Sequence, residues 1–87
     1  MELVTGMVVI SKAGRDKGKP LVITGFDSGR VIVADGKERP LSRPKPKNPR
    51  HLAATSRTIP LEGITDRALR RALRAGNAGE ETDNDGA

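Results

Sequence analysis

The sequence is most informative at residues 7–24, which read MVVISKAGRDKGKPLVIT. Two short apolar runs, Met7–Ile10 and Leu21–Thr24, flank a loop with four Lys or Arg side chains and two glycines. Runs of this length that are rich in Val and Ile are typical of strands and too short for a helix. The stretch therefore predicts two strands with a basic loop between them.

A third run of the same character, Val31–Ala34, follows at a similar spacing. Several short strands spaced in this way favour an all-β barrel or sandwich. Residues 27–29 (Asp-Ser-Gly) have turn chemistry, and we expect Gly29 to take positive φ, so the second and third runs predict a hairpin. A further short strand is predicted at residues 58–61, where Pro60 would keep it at an edge.

Residues 37–50, which read KERPLSRPKPKNPR, combine four prolines and six Lys or Arg side chains with one acid. Prolines at this density disfavour a helix and a central strand. Residues 38–42 allow a short edge strand around Leu41, and residues 43–50 are predicted to form a stiff polyproline II arm with Lys45 and Lys47 exposed. A plain charged linker is the alternative, and the nearly single-signed charge favours the arm.

A helix is predicted at residues 63–76. Thr65 is the expected N-cap, Asp66 places an acid in the first turn, and Gly76 supplies a C-terminal stop. A narrow apolar stripe comprises Ala68, Leu69, Ala72 and Leu73. So short a helix must dock on the strands or on a partner. The chain thus divides into three parts. A β body at residues 1–62 includes the arm, the helix follows at residues 63–76, and we expect an acidic tail at residues 77–87 to be disordered.

The charge of the chain is strongly uneven. Residues 1–76 hold all 16 Lys and Arg side chains and seven of the 11 acids, whereas residues 77–87 hold four acids and no base. A basic body of this kind indicates a polyanionic partner such as nucleic acid, although a solubilising surface is the alternative. The cations fall into three groups, which are Lys12, Arg15, Lys17 and Lys19 on the loop, Arg43, Lys45, Lys47 and Arg50 on the arm, and Arg67, Arg70, Arg71 and Arg74 on the helix.

The chemistry of the side chains argues against an enzyme. The single histidine, His51, follows Arg50 and is read as a further phosphate-contacting group, and the chain has no cysteine. The serines match no nucleophile signature, and the acids lack metal-ligand spacing. We therefore expect no catalytic residue, no metal, no cofactor and no small-molecule substrate.

The N-terminus and the apolar runs bear on location. The first residues lack the features of a signal peptide, and no run is long enough to span a membrane. The absence of cysteine fits a reducing compartment. We expect a cytoplasmic monomer with a thin aliphatic core and a single aromatic residue, Phe26.

The opening stretch resembles a KOW motif, in which an apolar strand leads into a basic, glycine-bearing loop and returns through a second strand. Gly14, Asp16, Lys17 and Gly18 fit the usual pattern. Ala34-Asp35-Gly36, Arg43-Pro44-Lys45 and His51-Leu52 resemble the KOW-containing ribosomal proteins of the L14e type and their small bacterial relatives. The resemblance extends over residues 5–75. The resemblance implies an SH3-like β-barrel that binds ribosomal RNA. It implies RNA contacts from Lys12, Gly14, Arg15, Lys17 and Gly18, with a close approach at Ala13. We include the other residues of the loop, Ser11, Asp16 and Lys19, in the predicted RNA-binding set. The near-absence of aromatic residues and the acidic tail depart from that family.

The sequence therefore predicts non-enzymatic binding of structured RNA, with rRNA of the large ribosomal subunit as the main partner and ribosomal proteins as neighbours. The near-absence of aromatic residues disfavours the reading of single-stranded bases by stacking, so we expect recognition of backbone and shape. The alternative is a protein-interaction barrel that acts as a transcription or translation accessory factor.

Overall fold

A computed structural model describes residues 2–74. This part of the chain is mainly β, as predicted. Its five strands form one antiparallel sheet in the order β4-β3-β2-β1-β5. The strands are β1 (Met7–Ser11), β2 (Pro20–Asp27), β3 (Arg30–Ala34), β4 (Lys45–Lys47) and β5 (Leu52–Thr58), and they are accompanied by 3-10 turns at Gly14–Asp16 and Pro49–His51 and by one helix, α1, at residues 66–74.

The predicted hairpin between the second and third apolar runs is confirmed. Strands β2 and β3 pair as far as Asp27 and Arg30, which leaves Ser28 and Gly29 as the turn. The φ angles of these two residues are 50° and 81°. Two consecutive positive φ angles are characteristic of the tight turn whose twist matches that of the flanking strands, and Gly29 takes the conformation that was expected of it.

Strands β1, β2 and β3 bury side chains on both faces of the sheet, which explains why each of them contains a continuous apolar run. Side chains alternate across a strand, so neighbouring residues of β1 and β2 enter different clusters. The first core contains Met7, Val9, Leu21, Ile23, Val31, Val33 and Leu52. The second core contains Val8, Val22, Ala34 and Ile59 from the sheet and its flank, together with Leu69 and Leu73 from α1.

Helix α1 begins as its sequence predicts and docks on the sheet. The backbone N–H of Ala68 donates to the Thr65 hydroxyl at 3.1 Å, which is the expected N-cap bond. Residues 63–65 precede the helix, and Gly76 and the acidic tail lie outside the described residues. Two further bonds attach α1 to the segment that follows β3. Leu41 N–H donates to Asp66 at 2.7 Å, and the guanidinium of Arg70 donates to the Gly36 carbonyl at 2.7 Å.

The prediction of a polyproline II arm at residues 43–50 was wrong. Residues 45–47 form β4, which pairs with β3 through Val31 and Lys47 at one end and Val33 and Lys45 at the other. Lys47 is buried, with 9% of its surface exposed. An edge strand tolerates Pro46 because only one of its sides pairs.

Two predictions of short strands were also wrong. Residues 38–42 form bends and turns, and Leu41 packs against the second core instead of lying in an edge strand. The last strand is β5, whereas the predicted strand at residues 58–61 contributes only Thr58 to it. Ile59 lies just beyond β5 and is buried in the second core.

Within residues 2–74, no helix is both long and apolar enough to cross a membrane.

Candidate nucleic-acid interface

The basic loop between β1 and β2 is tightly closed by its own backbone. The Ser11 N–H donates to the Lys19 carbonyl at 3.0 Å, and the Gly18 N–H donates to the Ser11 carbonyl at 2.8 Å. Within the loop, Lys19 N–H donates to the Asp16 carbonyl at 2.8 Å. Gly14 and Gly18 take φ angles of 79° and 85°, a region that favours glycine. The loop therefore presents its side chains from a fixed backbone.

A buried charged cluster supports this loop from inside. The Asp16 carboxylate lies 3.4 Å from the guanidinium of Arg39 and 3.9 Å from the Lys47 ammonium, and only 2% of Asp16 is exposed. Lys47 also donates to the Ser11 hydroxyl at 2.9 Å and to the Ala13 carbonyl at 3.4 Å. Three of the predicted RNA-contacting side chains, Ser11, Asp16 and Lys47, are thus turned inward and join the loop to β4.

The cations of the loop itself are exposed. Lys12, Arg15, Lys17 and Lys19 all lie on the surface. The Lys12 backbone N–H donates to the His51 carbonyl at 2.7 Å, so the 3-10 turn at Pro49–His51 lies against the base of the loop. Arg50 and His51 are both exposed in that turn. The loop and this turn therefore form one basic region.

A cleft of about 250 Å³ separates α1 from the start of β2, and we call it the helix cleft. Its lining has four cations and one acid, with two apolar residues between them. These residues are Lys19, Lys37, Arg70, Arg74, Asp35, Pro20 and Leu73. The carboxylate of Asp35 accepts hydrogen bonds from two backbone N–H groups, those of Lys37 and Arg39, both at 2.8 Å. The Asp35 carboxylate is therefore held by the turn and is the one acid in the lining.

A second cleft adjoins the first, and we call it the proline cleft. It measures about 520 Å³ and is lined by Lys37, Glu38, Arg39, Pro40, Arg43, Pro44, Lys45 and Pro46. Lys37 lines both clefts. The two clefts therefore share one lysine. The helix cleft gathers cations from the loop and the helix, and the proline cleft gathers cations from the proline-rich segment.

The structure divides the predicted basic groups. It brings Lys19 of the loop beside Arg70 and Arg74 of the helix, and it brings Arg43 and Lys45 into the adjoining cleft. The remaining helix arginines, Arg67 and Arg71, are exposed and line neither cleft. Sequence reasoning missed Lys37, whose only signal was its position directly after the Asp35-Gly36 turn. It also missed Arg39, and no local signal connects that residue to Asp16.

The arrangement is suited to binding an extended anion. Within residues 2–74, no group of three or more His, Cys, Asp or Glu side chains is placed to hold a metal ion. The chain has one phenylalanine and no tryptophan or tyrosine. Phe26 is 53% exposed near the β2–β3 turn, so the described surface offers few rings, Phe26 and the exposed His51, on which bases could stack. The surface therefore favours contacts to backbone phosphates.

Comparison with known proteins gives no match, either to a protein-family model or to a curated protein.

Proposed function

We propose that this chain is a non-enzymatic RNA-binding module that grips the sugar-phosphate backbone of structured RNA. The observation that carries the proposal is the pair of adjoining clefts that share Lys37. Cations from separate parts of the chain converge there without an equal number of acids. Such convergence is unusual for a merely solubilising surface, where charges of both signs are interspersed.

The number of cations sets the expected salt dependence. Six of them line the clefts and are not paired with Asp16, namely Lys19, Lys37, Arg43, Lys45, Arg70 and Arg74. If each neutralises one phosphate, the slope of log K against log salt should be about −5 for a duplex, since each contact contributes about −0.9. The exposed loop residues Lys12, Arg15 and Lys17 would add to this slope.

The resemblance of the loop to a KOW motif directs the proposal toward ribosomal RNA in the cytoplasm. A mainly β fold whose five strands form one antiparallel sheet is compatible with the SH3-like barrel that the resemblance implies. The fixed backbone of the loop, with positive φ at Gly14 and Gly18, suits a motif that must present cations at defined positions. We accordingly propose the large ribosomal subunit as the first place to look for the partner.

A protein partner is the second candidate. Val4 and Phe26 are the large hydrophobic residues most exposed among those described, at 44% and 53%. The Gly6 N–H donates to the Ile23 carbonyl. Val4 comes shortly before Gly6 and Phe26 shortly after Ile23, so Val4 and Phe26 lie toward the same end of the sheet. Binding through these residues would depend on apolar contact and only weakly on salt.

The test uses the full chain and a structured RNA hairpin at about 50 mM salt, where electrostatic binding is strong. Lys37→Glu should weaken binding substantially, and reversal of Arg15 and Lys17 should weaken it further. Arg30→Glu is the matched control because Arg30 is exposed at the hairpin turn and lines neither cleft. Absence of binding by the unaltered protein would overturn the proposal, as would equal losses in Lys37→Glu and Arg30→Glu.

A second experiment addresses the identity of the RNA. Crosslinking of the protein in cells, followed by sequencing of the attached RNA, should recover ribosomal sequences, and the protein should sediment with large subunits. Recovery of other structured RNA would keep the binding function and remove the ribosomal assignment.

A further inference from the structure

The helix cleft has the composition of a seat for one unit of nucleic-acid backbone. Its cations surround two apolar residues, Pro20 and Leu73. A phosphodiester attached to its ribose offers the matching pair of surfaces, an anion and a less polar ring. The cleft is open to solvent along one side, so a segment of a larger molecule can lie in it and continue beyond it.

The arginines of α1 are not equivalent in this cleft. Arg70 and Arg74 are four residues apart, share one side of the helix and line the cleft. Arg67 and Arg71 have the same spacing, and neither of them lines the helix cleft or the proline cleft. The guanidinium of Arg70 is already fixed by its 2.7 Å bond to the Gly36 carbonyl, so less side-chain entropy is lost when it binds an anion.

The cleft exists only while the helix is docked. One wall comes from α1 and the other from residues 19–20 and 35–37. The helix is short and depends on tertiary packing, which Leu69 and Leu73 supply in the second core. Four cations that line one cleft repel one another, and a bound phosphate would reduce that repulsion. Anything that binds only the docked form stabilises docking.

We propose that the helix cleft seats one phosphodiester unit of the RNA backbone, and that its occupation fixes α1 on the sheet. Arg74, Lys19 and Lys37 contact the phosphate, and Arg70 joins them from its fixed position. Pro20 contacts the ribose, whereas Leu73 is only 4% exposed and packs in the second core. This inference rests on the proposed RNA-binding function and adds to it a defined seat and a coupling between RNA binding and helix docking.

The test compares Arg74→Glu with Arg71→Glu in the full chain. The two substitutions change the charge equally and lie three residues apart in α1, but only Arg74 lines the cleft. Arg74→Glu should weaken binding of an RNA hairpin about tenfold, as expected for loss of a charged hydrogen bond to phosphate. It should also lower the magnitude of the salt slope by about one unit. Arg71→Glu should change neither quantity appreciably. Arg74→Ala should also weaken binding, which would show that the loss does not come only from the carboxylate introduced in Arg74→Glu.

Amide hydrogen exchange reports the coupling. Saturating RNA should slow exchange at Leu69–Leu73 in the unaltered protein and in Arg71→Glu, but much less in Arg74→Glu. Equal losses of RNA affinity in the two Glu variants would overturn the seat and leave RNA binding intact. Unchanged helix exchange would overturn the coupling, and equal protection by polyglutamate at matched charge would show that the cleft accepts acidic polypeptide instead. Failure of the unaltered protein to bind any RNA would instead overturn the proposed function itself.

Discussion

Replacement of Gly36 by alanine should undock α1 from the sheet. Gly36 has a φ of 81°, and a Cβ built on it would lie 2.5 Å from the backbone carbonyl oxygen of Asp66 and 3.1 Å from the Cγ of Arg70. The positive φ alone costs about 1–2 kcal/mol for a residue with a Cβ. The contact with helix backbone cannot be relieved by a side-chain rotation, so the helix must move, and we expect a further cost of about 1–3 kcal/mol, as for other overpacked sites.

Gly29→Ala separates these two effects. Gly29 has the same φ of 81°, but a Cβ there meets no atom within 4 Å. Urea unfolding should therefore show a loss of about 1–2 kcal/mol for Gly29→Ala and at least about twice that loss for Gly36→Ala. Amide exchange should show faster opening of α1 in Gly36→Ala alone. Equal destabilisation in both variants, with α1 equally protected, would refute the close approach of the Asp35-Gly36 turn to the helix.

Further predictions concern the cluster, the cap and the two kinds of apolar residue, and each is measured as a change in the free energy of unfolding. Asp16→Ala should cost about 3 kcal/mol, at the low end for a broken buried ion pair, because Lys47 keeps its bond to Ser11. A loss below that of an ordinary surface change would contradict the supporting role of the cluster. Thr65→Ala should cost about 1 kcal/mol through loss of the N-cap bond, and an unchanged stability would show that the cap is not formed. Leu69→Ala should cost about 2–5 kcal/mol because Leu69 is fully buried, whereas Phe26→Ala should cost no more than about 0.5 kcal/mol because Phe26 is half-exposed. The reverse order would refute the second core.

Local signals in the sequence were enough to predict the first three strands, one hairpin and the helix. Met7–Ile10 and Leu21–Ile23 are apolar throughout, and this pattern marks a strand buried on both faces. The turn at Ser28 and Gly29 and the cap at Thr65 depend on residues close in sequence, so their chemistry can be recognised without the rest of the fold.

The last two strands could not be predicted because their structure is set by distant partners. Lys45–Lys47 has the composition of a proline-rich arm, and it becomes β4 only because β3 offers an open edge. Strand β5 has two threonines but lacks a continuous apolar run, so nothing local marks it as a strand, and it forms by pairing with β1.

The candidate site was predicted at the level of charge and missed at the level of geometry. The sequence indicates that Lys19, Arg70 and Arg74 are basic, but only the docking of α1 shows that they line one cleft. Burial of Lys47 depends on Asp16, which is 31 positions earlier in the chain. A count of cations cannot distinguish such an internal ion pair from a surface contact.

The central claim is that the two clefts sharing Lys37 bind RNA backbone, and the salt dependence of affinity tests it most directly. The dissociation constant of the full chain for a structured RNA hairpin should be measured between about 50 and 200 mM salt, with Lys37→Glu and Arg30→Glu in parallel. The account predicts a slope of about −5 or steeper for the unaltered protein, a slope shallower by about one unit for Lys37→Glu, and no change in slope for Arg30→Glu. A slope near zero, or identical slopes for both variants, would contradict it.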